Sequence, residues 1–344
     1  MSLKKIGENI SAHTGDCLDI LKLMPANSVQ MAVTSPPYFG LRDYGVAGQI
    51  GLEETPEEYV AKLVAIFHEV KRVLKDDGVL FVNLGDSYAS NGKKGGDIDK
   101  DDGMDVERGR GRLNNHSIIK PKDLIGIPWR VAFALQADGW YLRQDIIWQK
   151  PNPMPESVKD RCTKSHEYIF LLAKNARYYF DNEAISEPAK QCSIERLAGA
   201  ISNKNKWVNG AHGQTKHTNC QPRENYKQLK SKDPEKFAES DHIAASWENC
   251  VNKRSVWSIN TKPYKEAHFA TFPLEIPELC IKAGSREGDI VLDPFSGAGT
   301  TGVACIKHRR KYIGIELNPE YIEISKTRLE NAIEEFGTPL LDLI

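Results

Sequence analysis

Short apolar runs alternate with stretches of helical period along most of this chain, and that alternation leaves few architectures open. Residues 29–33 (broken only by Gln30), 79–84, 141–148, 166–173, 289–292 and 312–316 read as strands. Residues 57–74 place apolar side chains at Tyr59, Val60, Leu63, Phe67, Val70, Val73 and Leu74, a 3.6-residue period. Thr55 and Pro56 supply that helix with an N-cap and a first-turn proline, and Gly78 follows its Lys75-Asp76-Asp77 end. Residues 128–137, 275–283, 300–307 and 319–336 read as further helices. Strands alternating with helices predict an α/β fold built on a mostly parallel sheet.

Two stretches depart from the pattern. Residues 90–115 are rich in Gly, Asp, Lys and Arg and almost free of apolar side chains, which predicts a flexible loop or functional lid. Residues 185–265 are polar and carry 14 Lys and Arg against 8 Asp and Glu, although the whole chain has a net charge of −1. That local surplus suggests an anionic partner, with a solvated insertion as the alternative. No run approaches the roughly 18 apolar residues of a membrane helix, and the charged start lacks a signal-peptide core. A cytoplasmic protein without a membrane partner is expected. The seven cysteines are scattered without a C-x-x-C pair, which predicts neither a disulfide framework nor a metal site.

Two strand ends carry chemistry. Ser35-Pro36-Pro37-Tyr38 follows the run at 29–33, and paired prolines neither continue a helix nor sit inside a paired strand. The resulting stiff turn presents a hydroxyl, bare carbonyls and a ring, which suits an amino group held by acceptors and a flat base. A plain strand-ending turn is the alternative. The second is Asp293-Pro294-Phe295-Ser296-Gly297-Ala298-Gly299-Thr300-Thr301-Gly302, joining a strand to a helix. Its glycines match G-x-G-x-x-G, and Glu316 lies 19 residues past Gly297, where an acid holds ribose hydroxyls. A dinucleotide dehydrogenase fits poorly. Asp293 would repel a pyrophosphate, and only 42 residues follow Gly302. Acids on both sides of the glycines point instead to a cationic nucleoside such as S-adenosylmethionine.

Together these motifs resemble the β-type S-adenosylmethionine-dependent DNA amino-methyltransferases, the N4-cytosine and N6-adenine family. The S-P-P-Y lies near the N-terminus and D-P-F-S-G-A-G-T-T near the C-terminus, and the resemblance spans most of the chain. It implies a Rossmann-like, mostly parallel methyltransferase sheet in circularly permuted motif order with an inserted target-recognition region. Residues 1–184 would be the catalytic part, 185–255 the recognition region and 256–344 the cofactor-binding part. The resemblance assigns catalysis to Ser35, Pro36, Pro37 and Tyr38. It assigns cofactor binding to Asp16, His268, Phe272, Asp293, Phe295, Ser296, Gly297, Gly299, Thr300, Thr301, Glu316 and Asn318. Trp148, Lys150 and Asn152 would line the target-base pocket, and Arg196, Lys204, Lys206, Arg223 and Lys227 are candidates for DNA phosphate contact. Asp16 also suits a helix N-cap, Trp148 a core aromatic, His268 a structural histidine and Lys150 a solvated charge.

The chemistry implied is direct attack by an exocyclic amine on a base flipped out of double-stranded DNA. Tyr38 would stack on the base, while the Ser35 hydroxyl and Pro36 carbonyl accept from the amine. Carbon-5 cytosine methylation would need a Pro-Cys pair, and no cysteine here follows a proline. Serine at the first motif position resembles the N4-cytosine members, with N6 of adenine as the alternative. A protein-glutamine or small-molecule N-methyltransferase would share the glycine loop without needing the basic block. The resemblance further implies a monomer or homodimer and a restriction endonuclease acting on the same site without a stable complex.

Overall fold

The computed structural model describes residues 2–7, 9–89, 119–188, 250–261 and 272–337. The expected loop at 90–115 and most of the 185–255 region lie outside the described residues. So do His268, Arg196, Lys204, Lys206, Arg223 and Lys227.

In chain order the strands are β1 (Ser2–Gly7), β2 (Ile10–Thr14), β3 (Val29–Thr34), β4 (Leu74–Leu84), β5 (Tyr141–Gln149), β6 (His166–Ala173), β7 (Glu187–Pro188), β8 (Cys250–Val251), β9 (Val256–Ser258), β10 (Ile290–Asp293) and β11 (Lys311–Glu316). The helices are α1 (Cys17–Leu23), α2 (Pro56–Val73), α3 (Ile127–Ala137), α4 (Glu275–Gly284), α5 (Thr300–Lys307) and α6 (Pro319–Phe336). The chain divides into two compact units, Met1–Asp181 with Arg254–Ile344, and Asn182–Lys253. In the smaller unit β7 pairs antiparallel with β8, and Lys253 bridges Glu187 at 2.8 Å.

The larger unit is a nine-stranded sheet in the order β1-β2-β11-β10-β3-β4-β6-β5-β9. Strands β2, β11, β10, β3 and β4 are mutually parallel, whereas β6 runs antiparallel to both β4 and β5 and β1 antiparallel to β2. All six residues of β3 are buried, as expected for a strand covered on both faces. Ala32, Leu80, Leu172, Leu292 and Ile315 face the core shared with α1, α2 and α3. Residues of opposite parity face α4, α5 and α6: Gly284 abuts Met31 and Val79, and Gly302 abuts Tyr312. On α2 the apolar stripe Tyr59, Leu63, Phe67, Val70 and Val73 is fully buried, each side chain stabilising the fold by roughly 1.5–3 kcal/mol. Thr55 caps this helix by accepting from Glu58 N at 3.1 Å.

Two departures from the periodicity have local causes. Strand β4 begins at Leu74 rather than at 79, because Leu74 pairs with Val29 before the register jumps to Met31 opposite Val79. The extra residues bulge outward, and Gly78 is required there because a Cβ would approach Lys75 O to 2.8 Å. Strand β1 lies at the sheet edge, where a strand needs no continuous apolar run. Among the described residues no helix is long and apolar enough to cross a membrane.

Candidate active site

Strands β3 and β10 lie side by side and parallel, with Met31 opposite Val291 and Ala32 opposite Leu292. The chain therefore leaves both at the same edge of the sheet. From β10 the chain continues to β11 on one side, and from β3 to β4 on the other, so this edge is a topological switch point. The Ser35 turn and the glycine loop meet there across 259 residues of sequence, joined by a buried hydrogen bond from Thr34 Oγ1 to Asp293 Oδ1 at 2.6 Å. Both loops line a cavity of about 330 Å³.

At the glycine loop, Asp293 is 1% exposed and does not line the cavity. Its Oδ1 accepts from Thr34 Oγ1 and Phe295 N, and its Oδ2 from Thr301 Oγ1 at 2.6 Å. Burial pushes its carboxyl up to about 6. The expectation of a carboxylate facing a cationic ligand is thus corrected: Asp293 and Thr301 stand behind the wall and brace the loop. Gly297 does face the cavity, with φ +49° and open space where a Cβ would project. Gly299 serves packing instead. Its φ is +77°, and a Cβ would overlap Ser325 Oγ on α6. It does not line the cavity either.

Glu316, at the end of β11, lines the cavity with both oxygens oriented by backbone donors. Oε2 accepts from Gly297 N and Oε1 from Asn318 N, each at 2.8 Å. Burial raises its carboxyl above the ordinary range. Asp16 both lines the cavity and caps α1, its Oδ1 accepting from Leu18 N at 2.9 Å and Asp19 N at 3.2 Å. Phe272, Phe295, Ser296, Thr300 and Asn318 complete the expected residues on the wall. Sequence reasoning missed Tyr44 and Tyr321, which meet edge to face at 6.2 Å and also line it. Tyr321 sits in the first turn of α6 just past the capping Asn318, a position the cap itself marks.

Ser35, Pro36, Pro37 and Tyr38 all line the cavity. The Pro37 carbonyl accepts from Tyr59 Oη at 2.8 Å, which anchors the turn to α2. No donor among the described residues reaches the Pro36 carbonyl. The Tyr38 ring lies against Gly85, where any Cβ would overlap it. Its hydroxyl donates to Glu167 Oε2 at 2.6 Å and accepts from Asn83 Nδ2 at 2.7 Å. Burial and the neighbouring Glu167 charge raise that hydroxyl well above the ordinary tyrosine range. Neither Glu167 nor Asn83 was anticipated. Because β6 is antiparallel to β4, its first residues arrive at the edge where β3 and β4 end, a placement that topology alone supplies.

The end of β5 and the segment after it behave differently from expectation. Trp148 is 3% exposed, its Nε1 donates to Ile259 O at 2.9 Å, and it packs as a core aromatic that does not line the cavity. Lys150 pairs with Glu167 Oε1 and sits 4.4 Å from the Trp148 ring centroid. Asn152 exchanges hydrogen bonds with the Thr261 backbone, tying the strand end to the chain after β9. Neither Lys150 nor Asn152 lines the cavity.

The chain resembles known proteins along most of its length. The family described as DNA methylase matches residues 29–327. The chain is 45% identical to the type II methyltransferase M.Cfr9I of Citrobacter freundii, over 92% of this chain and 86% of that protein. It is 44% identical to the type II methyltransferase M.SmaI of Serratia marcescens, over 92% and 89% respectively. Among solved structures, the cytosine-N4-specific PvuII DNA methyltransferase matches with a TM-score of 0.59 at 20% identity, covering 96% of this chain and 92% of that one. A putative DNA modification methylase of Thermus thermophilus, solved with S-adenosyl-L-methionine, matches with a TM-score of 0.55 at 22% identity, covering 97% and 98%.

Proposed function

Because this chain belongs to the DNA methylase family, we propose that it transfers a methyl group from S-adenosylmethionine to N4 of a cytosine in double-stranded DNA. The cavity fits that cofactor chemically. The Asp16 and Glu316 carboxylates offer acceptors, Gly297 leaves open space, and Phe295 and Tyr321 provide apolar surface. When bound, the cofactor supplies an electrophilic sulfonium methyl group. The rest of the chemistry belongs to the chain itself.

The carrying observation is the Ser35 turn, held against the glycine loop through Thr34, with Ser35 and Pro36, whose hydroxyl and carbonyl are acceptors, on the wall of the shared cavity. An exocyclic amine has two hydrogens for two such acceptors. Conjugation makes that nitrogen a weak nucleophile, and acceptors placed off the ring plane favour its pyramidal form and localise its lone pair. Positioning and preorganised electrostatics thus do the work of catalysis. A base stacked in a duplex cannot reach this cavity, so the target must be flipped. Tyr38, backed by Gly85 and tied to Glu167, offers the flipped base a fixed aromatic surface.

Serine as the first acceptor favours cytosine, since a neutral hydroxyl both accepts and donates. The cytosine-N4 specificity of the PvuII methyltransferase supports the same choice. Residues 185–255 are proposed as the target-recognition region, with Arg196, Lys204, Lys206, Arg223 and Lys227 at phosphates. The positive surplus of that block supports this assignment. Nucleoside analysis of duplex DNA incubated with the enzyme and cofactor tests the reading. N4-methylcytosine is the expected product. N6-methyladenine alone would overturn the choice of base, and unmodified DNA would overturn DNA methylation.

A further inference from the structure

Methylation of an exocyclic amine leaves the nitrogen positively charged and carrying one proton too many. Ser35 Oγ, the hydroxyl assigned to that amine, lies 3.3 Å from Tyr38 Oη, and Tyr38 Oη lies 2.6 Å from Glu167 Oε2. Asn83 Nδ2 donates to the same phenol at 2.7 Å, to Glu167 Oε2 at 2.9 Å and to Ser35 Oγ at 3.4 Å. With Asn83 and Ser35 both directed at the phenol oxygen, the phenol's own hydrogen points to Glu167. The two hydroxyl hydrogens of the row, those of Ser35 and Tyr38, are therefore oriented away from the amine and toward one carboxylate.

Building on the methyl-transfer reading, we infer that Ser35, Tyr38 and Glu167 form a proton-release chain whose acceptor is Glu167. As the new N–C bond forms, the nitrogen passes a proton to Ser35 Oγ. Ser35 passes its own proton to Tyr38 Oη, and Tyr38 passes its own to Glu167 Oε2. Both hydroxyls are regenerated, so the net change is one proton moved from the nitrogen to a carboxylate that becomes a neutral acid. The high pKa of the Tyr38 hydroxyl suits it to hand on a proton rather than to lose one. Lys150 pairs with the other oxygen, Oε1, which leaves Oε2 to the phenol and Asn83. Lys164 also interacts electrostatically with Glu167. Glu167 borders the cavity, so solvent can reclaim the proton once product leaves.

The test is single-turnover methylation of duplex DNA by Glu167→Gln, which keeps an acceptor for Tyr38 but cannot take the proton. The rate should fall about 100-fold, while cofactor and DNA affinities stay within about threefold of wild type. Added formate should restore at least about tenfold of the rate to Glu167→Ala. Formate should not rescue Tyr38→Phe, in which the row is broken before its end. Infrared difference spectra of a single turnover should show a protonated carboxyl band in the wild type that Glu167→Gln lacks. A Glu167→Gln rate within about threefold of wild type, a loss confined to DNA affinity, or failed formate rescue would each overturn the assignment. Failure of the wild type to methylate DNA would overturn the underlying reading instead, so the two failures are distinguishable.

Discussion

Asp293→Asn offers the sharpest test of how the two motifs are joined. The folded protein holds the Asp293 carboxyl at about 6, against 3.8 for the free group, with burial as the main cause. A difference of about two pH units corresponds to about 3 kcal/mol. A raised carboxyl pKa means that the folded state binds a proton the unfolded state has released. Stability should therefore be fullest below the unfolded value, fall by about 1.4 kcal/mol per pH unit between the two values, and level off above the folded one. Asparagine has no such titration, and rotation of the Thr34 or Thr301 hydroxyl lets its amide pair in place of the carboxylate. Urea unfolding of both proteins from about pH 4 to about pH 7 gives the difference in stability at each pH, and subtraction cancels the titrations they share. That difference should move toward the variant by about 2.4 kcal/mol across the window. A difference flat to within about 0.5 kcal/mol would refute a buried, proton-retaining carboxylate. Because Asp293 stands behind the cavity wall, cofactor affinity should stay within about threefold; a large loss at unchanged stability would return the residue to the ligand.

Gly299→Ala combines a left-handed backbone with a Cβ that overlaps Ser325 Oγ, and should destabilise the protein by about 2–4 kcal/mol in urea unfolding. Part of that loss should return in combination with Ser325→Ala. Asp16→Ala removes the α1 cap and should cost about 1 kcal/mol together with weaker cofactor binding; Asp16→Asn keeps the cap, so calorimetry on it isolates the second effect. Trp148→Phe deletes a buried indole hydrogen bond and should cost about 1–2 kcal/mol with the methylation rate of the folded enzyme retained. A collapse in rate at unchanged stability would place Trp148 at the target base after all.

Periodicity and punctuation carry the parallel core of the sheet. Strands β3, β4, β10 and β11 are apolar runs between capped helices, because a strand buried on both faces has little choice of residue. The sheet edge is less legible. The outermost strand, β1, has no apolar run in its sequence, so it reads like an ordinary chain terminus. At the site, residues that build the wall through local backbone conformation stand out in the sequence: Ser35-Pro36-Pro37, Gly297 and Glu316. Those that reach it through tertiary topology do not. Glu167 follows an unremarkable histidine, and only the antiparallel placement of β6 carries it to Tyr38. Asp293 shows the converse. Its position in the motif is plain, but the direction of its carboxylate depends on Thr34, which lies in another part of the chain.

That dependence also explains why motif order along the chain matters so little to the site. Strands β3 and β10 must be parallel neighbours, since only then do their following loops share a cavity. Nothing in that requirement says which strand is synthesised first. What has to survive any reordering is the short-range chemistry between the strand ends. Thr34 must donate to Asp293, Thr301 must fill its other oxygen, and Gly297 must leave room beside Glu316. Each of these is a short-range contact between side chains or backbone groups around the strand ends, and the one that joins the two motifs does not depend on the length of chain between them. The separation of 259 residues between Thr34 and Asp293 adds loop-closure entropy that grows only logarithmically with length, which a well-packed parallel pair outweighs.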